Sequence, residues 1–247
     1  MTATAFSDPL ALGTASKAGA GGAIARRVVP TRNPVVLVHG VLGFTRRAVS
    51  RLFSFAYFQG IEEALRDAGV DVVTVPLPPT GSVESRALAL SEAIDRMRAP
   101  RVNLVAHSMG GLDARWYVGK LGGHERVASL VTIATPHRGT HVADWGGTRF
   151  GRALAGWRLL RDVGVDSAAF RDLTRVACEA RNAELLHAPE VPTFSVGGAR
   201  PWYAVAAPLQ ISFRMLQRTE GPNDGLVSIA SARWGEWWGT VEADHLA

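Results

Sequence analysis

Ser108 is the residue of this chain best placed to do chemistry. It interrupts the apolar run VNLVAHSMGG, Val102 to Gly111, and is flanked by small residues. A nucleophilic serine needs its hydroxyl at the apex of a sharp turn between a strand and a helix, and glycines two before and two after it relieve the crowding there. Gly110 and Gly111 follow the serine, whereas Ala106, the next smallest residue type, takes the upstream position. A serine hydroxyl is a weak nucleophile at neutral pH unless a base removes its proton and a carboxylate orients that base. The chemistry in question is therefore acyl transfer through a serine, histidine and carboxylate.

Seven histidines compete for the role of base. His39 closes the run PVVLV before Gly40, and His107 precedes the serine, where a strand turns its side chain to the opposite face. Both read as structural. His124, in GGHE, and His187, before Pro189, read as solvated. His137, His141 and Asp144 form H-x3-H-x2-D, a spacing that could gather metal ligands on one side of a helix. Pro136 and Gly139 disfavour a helix through His137, so no metal and no cofactor is expected. His245 remains, just after an expected terminal strand. Asp224 lies in GPNDGLV, a loop signature following the strand PTFSV, which completes the chain order serine, acid, base. Asp113 is the competing carboxylate. Five residues along the helix after the serine, it should point away from it.

Such chemistry also needs two backbone N–H groups aimed at the oxyanion of the tetrahedral intermediate. Met109, directly after the serine, is one candidate. Val41, in the loop HGVLGF that follows the first strand, is the other.

These residues require elements to hold them. Pro34 to Val38, Val70 to Val75, Val102 to Ala106, Val127 to Ile133, Pro192 to Val196 and Trp237 to Val241 read as strands, with Val102 to Ala106 buried on both faces. Ala56 to Ala68, Val83 to Met97 and Leu112 to Leu121 read as helices between them. Alternation of this size predicts the α/β class, a mostly parallel sheet between helices, with ligands beyond the carboxyl ends of the strands. From about 140 to 188 the apolar positions Trp145, Phe150, Leu154, Trp157, Leu159, Leu160, Phe170 and Leu173 are spaced more like helices. They could form a cap over the site or ordinary core helices. The stretch between PTFSV and the last strand reads as rich in turns. Residues 1–30, rich in Ala, Gly, Ser and Thr, read as a flexible segment, leaving 31–247 as one domain.

The composition is permissive. A chain of 247 residues with 47% hydrophobic content can build a substantial core. The net charge of +5 comes from scattered arginines, in pairs at most such as Arg26-Arg27, and no zinc-finger or RNP-like pattern occurs, so no nucleic-acid partner is expected. Cys178 is the single cysteine, which precludes an intrachain disulfide and suggests a buried, inert thiol. No run reaches the ~18 consecutive apolar residues of a spanning helix, and no basic segment precedes an apolar one at the N-terminus. A cytoplasmic monomer is the default expectation.

Taken together, HGVLGF, VNLVAHSMGGLDARW, TIATPHRGTHVAD, NDGLVSIASARWG and DHLA resemble bacterial triacylglycerol lipases of the true-lipase type, in the α/β-hydrolase superfamily. The resemblance implies Ser108 as nucleophile, His245 as base, Asp224 as its partner, and Val41 and Met109 at the oxyanion positions. It implies an α/β-hydrolase fold and hydrolysis of carboxylic esters, with a lipid or other small ester as substrate and transient contact with a lipid surface. The family's His-Leu-Asp, whose Asp helps to bind calcium, is here His245-Leu246-Ala247, so no calcium site is implied. A base two residues from the last position must be pinned by neighbouring loops; otherwise activity is low or the sequence is a fragment. Two alternatives stay open: an acyltransferase with the same residues, and a catalytically weak binding protein on the same fold.

Overall fold

A computed structural model of the chain describes residues 31–41, 57–58, 60–146, 167–186 and 188–247. Its core is a six-stranded sheet in the order β2-β1-β3-β4-β5-β6, with every neighbouring pair parallel. The strands are β1 (Val35–Val38), β2 (Val72–Thr74), β3 (Val102–His107), β4 (Val127–Ile133), β5 (Thr193–Gly198) and β6 (Glu236–Val241). The described α-helices are α1 (Ile61–Asp67), α2 (Val83–Asp95), α3 (Gly110–Lys120), α4 (His141–Gly146), α5 (Ser167–Asp172), α6 (Arg175–Glu184), α7 (Gln210–Thr219) and α8 (Ile229–Ala232). Parallel strands need crossovers, and helices supply them over both faces.

Burial follows from the pattern. β1, an unbroken VVLV, is buried at all four positions. In β3 only Val102, Leu104 and Ala106 are fully buried, while Asn103, Val105 and His107 on the other face are partly so. Full burial of β3 on both faces therefore does not hold, because that face also carries the polar Asn103, which accepts from Ser129 Oγ at 2.9 Å. The buried face joins Val36, Val38, Ala87, Leu90, Ile94, Ala114 and Tyr117 in one cluster beneath α2 and α3. Helix α2 contributes Val83, Arg86, Ala87, Leu90 and Ile94, a single stripe at helical spacing, and starts where Ser82 Oγ caps the Ser85 N–H at 3.2 Å.

Several boundaries move for local reasons. The helix expected from Ala56 begins at Ile61 instead: Gly60 adopts φ +80°, and Tyr57 and Phe58 lie in turns ahead of it. The positive φ of Ser108 likewise lets α3 open at Gly110, directly behind Ser108 and Met109. The turn-rich stretch after β5 holds the ten-residue helix α7, whose Phe213 and Leu216 are buried with Leu209 just ahead of it. That spacing of four and three is the helical signal hidden among polar residues. In the 140–188 region α4, α5 and α6 form, and Ala169 and Cys178 pack with Val83, Met109 and Leu112, a core-type contact beneath the serine turn. Phe150, Leu154, Trp157, Leu159 and Leu160, like the segment 1–30, Phe44 and His187, lie outside the described residues. Cys178 is buried as expected, and burial raises its thiol to about 11.

Candidate active site

Ser108 sits beyond the carboxyl end of β3, the strand flanked by β1 on one side and β4 on the other. The crossovers from β1 leave toward β2 and return to β3 on the other side, so the serine occupies the switch point where open parallel sheets bind ligands. Its φ is +55°, the left-handed region that non-glycine residues avoid, and such strain persists only where the surroundings impose it. Here the imposition is visible: the Ser108 N–H donates to Ile133 O at 2.9 Å, and its carbonyl accepts from Gly111 N at 3.1 Å. The helix behind it can come close because Gly110 and Gly111 lack side chains. A Cβ on Gly110 would lie 2.6 Å from Val38 O, and one on Gly111 would lie 2.2 Å from Thr135 Oγ1.

His245 and Asp224 converge on this serine from the far edge of the sheet. His245 follows β6, and its Nε2 lies 2.9 Å from Ser108 Oγ. Its Nδ1 lies 2.7 Å from Asp224 Oδ2. Ionised aspartate only accepts, so Nδ1 carries the proton and Nε2 is left to accept from the serine hydroxyl. The loop between α7 and α8 holds the carboxylate firmly. Asp224 Oδ1 accepts the N–H groups of Leu226 at 2.9 Å and Val227 at 2.7 Å, while the Asp224 carbonyl accepts the His245 N–H at 2.9 Å. The imidazole is thus gripped by main chain and side chain of one residue, and only 8% of His245 is exposed. Asp244 adds a second grip on the same turn, accepting from Ala206 N at 2.9 Å and Leu246 N at 3.0 Å. Neighbouring loops thus pin His245, as expected of a candidate base there.

The remaining candidates sort themselves by partner. Asp113 does not approach His245; it accepts from Arg86 Nε at 2.8 Å, both side chains fully buried, and burial pushes its carboxyl up to about 7 against the pull of Arg86. Arg86 reaches on to the carbonyl of His39 at 2.6 Å, so the buried pair ties α2 and α3 to the loop after β1. His39 is neutral: burial lowers it to about 4, its Nδ1–H donates to Gly40 O at 2.9 Å, and its Nε2 accepts from Leu77 N at 3.2 Å. The trio His137, His141 and Asp144 is dispersed. His137 meets Thr132 Oγ1 at 3.1 Å, His141 pairs with Glu220, and Asp144 accepts from Arg175 Nε at 2.6 Å. No group of metal-binding side chains occurs among the described residues.

The two oxyanion candidates flank Ser108. Met109 is fully buried at the start of α3, whose N-terminal amides carry partial positive charge, and Val41 packs against the same cluster. Gly40 brings the Val41 loop close: a Cβ there would lie 2.7 Å from Ser108 Cβ. One neighbour had no signal in the sequence. Tyr57, expected in the first turn of a helix but found in a turn ahead of it, places its hydroxyl 2.6 Å from His107 Nδ1.

Comparison with known proteins identifies the family of this fold. Residues 33–152 match the family model for the alpha/beta hydrolase fold. Triacylglycerol lipase 2 of Saccharomyces cerevisiae is 30% identical over 266 residues, covering 88% of this chain and 80% of the yeast protein. A triacylglycerol lipase of Pseudomonas fragi is 38% identical over 120 residues, but that match covers 47% of this chain and only 39% of the relative. In three dimensions the fold superposes on the mature form of the Bacillus licheniformis lipase BlEst2 with a TM-score of 0.71 at 21% identity, over 88% of this chain and 87% of that one. On the strength of this sheet, the serine turn and the near full-length yeast relative, the chain belongs to the α/β-hydrolase superfamily, among its lipase-like members.

Proposed function

We propose that this protein hydrolyses carboxylic esters of lipids through an acyl intermediate on Ser108. The observation that carries the proposal is the unbroken hydrogen-bonded line from Asp224 through His245 to Ser108 Oγ, at 2.7 and 2.9 Å. As Ser108 Oγ attacks the ester carbonyl, its proton passes to His245 Nε2. Asp224 holds the imidazole in the tautomer that can accept it and stabilises the imidazolium formed. The oxyanion that develops is received by the N–H groups of Met109 and Val41, and His245 returns its proton to the departing alcohol. Water, deprotonated by the same nitrogen, then attacks the acyl-serine and releases the carboxylic acid.

The triacylglycerol lipases of yeast and Pseudomonas fragi support acylglycerols as the substrate class. They favour water as the acyl acceptor over a second alcohol, and a working enzyme over a binding protein. A transient lipid-surface contact fits such substrates, and no described helix is long and apolar enough to cross a membrane. The test is Ser108→Ala, assayed on nitrophenyl esters of increasing chain length and on an emulsified acylglycerol. Loss of turnover to background, together with loss of labelling by a fluorophosphonate, is the expected result. Turnover at the wild-type rate would overturn the assignment.

A further inference from the structure

His245 does not stand alone against Ser108: the ring of His107 lies beside it, centroids 4.8 Å apart and planes inclined by 43°. His107 is held in turn by Tyr57, whose hydroxyl lies 2.6 Å from His107 Nδ1 and whose ring packs at 5.6 Å from it. The same hydroxyl lies close to Gly40: a Cβ on Gly40 would lie 2.8 Å from Tyr57 Oη and 3.1 Å from Ser108 Oγ. A phenol has one proton to give. Its neighbour is His107 Nδ1 at 2.6 Å, to which it donates when the His107 proton is on Nε2.

We propose that Tyr57 and His107 are positioning residues for the ester-hydrolysis site, the Tyr57 hydroxyl standing between the closely packed loop at Gly40 and the ring that supports His245. This placement couples two parts of the site that must be right together. Gly40 precedes Val41, whose N–H is to meet the oxyanion, and His107 limits the tilt of the imidazole that must reach Ser108 Oγ. Packing against Gly40 on one side and the contact with His107 Nδ1 on the other fix their spacing, and spacing errors of a fraction of an ångström are costly in such sites. The electrostatics suit the role as well. Burial, and then the neighbouring His245, hold His107 well below the ordinary histidine range, so no second positive charge opposes the imidazolium that forms on His245. Tyr57, raised to about 12 by burial, keeps its proton for donation.

The inference rests on Ser108 acting as nucleophile, and the experiment separates the two. Tyr57→Phe removes only the hydroxyl and keeps the ring packed against His39, Phe58 and His107, at 5.7, 5.0 and 5.6 Å. Measured on a short soluble nitrophenyl ester, kcat should fall about tenfold, the loss of one well-made hydrogen bond, with KM changed less than about twofold. The rate of fluorophosphonate labelling at Ser108 should fall in parallel. His107→Phe, which keeps a ring beside His245 but offers no acceptor, should show a similar kcat loss, and the double variant should lose little more than either single one, because both changes break the same link. Retention of kcat within about twofold in Tyr57→Phe, or independent multiplication of the two losses, overturns the proposal. Each variant is compared with Ser108→Ala: an inactive Ser108→Ala beside a fully active Tyr57→Phe refutes the positioning role alone, whereas an active Ser108→Ala refutes the reading beneath it.

Discussion

Replacing Asp224 by asparagine tests the hydrogen-bonded line at its most constrained point. Asp224 Oδ1 accepts two main-chain N–H groups, from Leu226 at 2.9 Å and Val227 at 2.7 Å. An asparagine must keep its carbonyl oxygen there, since its NH2 group would set donor against donor. The NH2 then faces His245 Nδ1 and donates to it, so the imidazole proton moves to Nε2. That nitrogen is 2.9 Å from Ser108 Oγ and has become a donor, unable to take the serine proton. The base is in the right place in the wrong tautomer. Misassigning the proton in triads of this kind costs ~10³ to 10⁴ in kcat, about 4 to 5.5 kcal/mol of transition-state stabilisation. The loop itself should stay intact, because the bonds to Leu226, Val227 and the His245 N–H all survive. Initial rates on a soluble nitrophenyl ester near pH 8, normalised by folded protein from circular dichroism and a thermal melt, supply the measurement. An Asp224→Asn enzyme with a native melt that keeps more than about a tenth of the wild-type kcat refutes the tautomer argument.

Two further outcomes follow from the same geometry, beside the Ser108→Ala and Tyr57→Phe tests. Gly40→Ala sets a methyl 2.7 Å from Ser108 Cβ and 2.8 Å from Tyr57 Oη, so the loop must shift; kcat should drop about 100-fold while overpacking costs about 1 to 3 kcal/mol in the melt, and a variant with unchanged kcat contradicts the close approach. Buried His39, lowered to about 4 from 6.5, is neutral in the fold but takes up a proton when unfolded below pH 6.5. Its contribution is present above pH 6.5 and is lost as pH falls toward 4, of order 3 kcal/mol in all. Urea titrations from pH 7 to 4 should show this fall, and His39→Gln should flatten it; an unchanged slope in the variant contradicts the assignment.

The sequence was most legible where chemistry and chain geometry demand the same residues. Ser108 could be found because a strand, a strained turn and a glycine-backed helix must coincide there. β4 appears at its expected bounds because Val127 to Ile133 is apolar and clearly delimited. Asp224 was separable from Asp113 because a helix turns its fifth position away from its start. What stayed hidden depends on contacts across the fold. Nothing local marks Tyr57 as a neighbour of His107, fifty positions on, and nothing announces Arg86 as a buried cation among apolar helix neighbours. The helix α7 was obscured because only one narrow stripe of it is apolar, and the start of α1 moved because Gly60 takes a left-handed turn that composition does not reveal.

The order of the sheet has a consequence for the birth of activity. Ser108 leaves a central strand, whereas His245 leaves β6, which pairs with β5 at the margin, and the contact between them spans 137 positions of sequence. Long-range pairings of this kind form late, after the entropy of closing large loops has been overcome. A chain whose central strands have assembled without the marginal one carries Ser108 in place but lacks the His245 proposed to activate it. On that proposal reactivity toward esters reports finished folding, and the onset of fluorophosphonate labelling during refolding should trail the recovery of secondary structure.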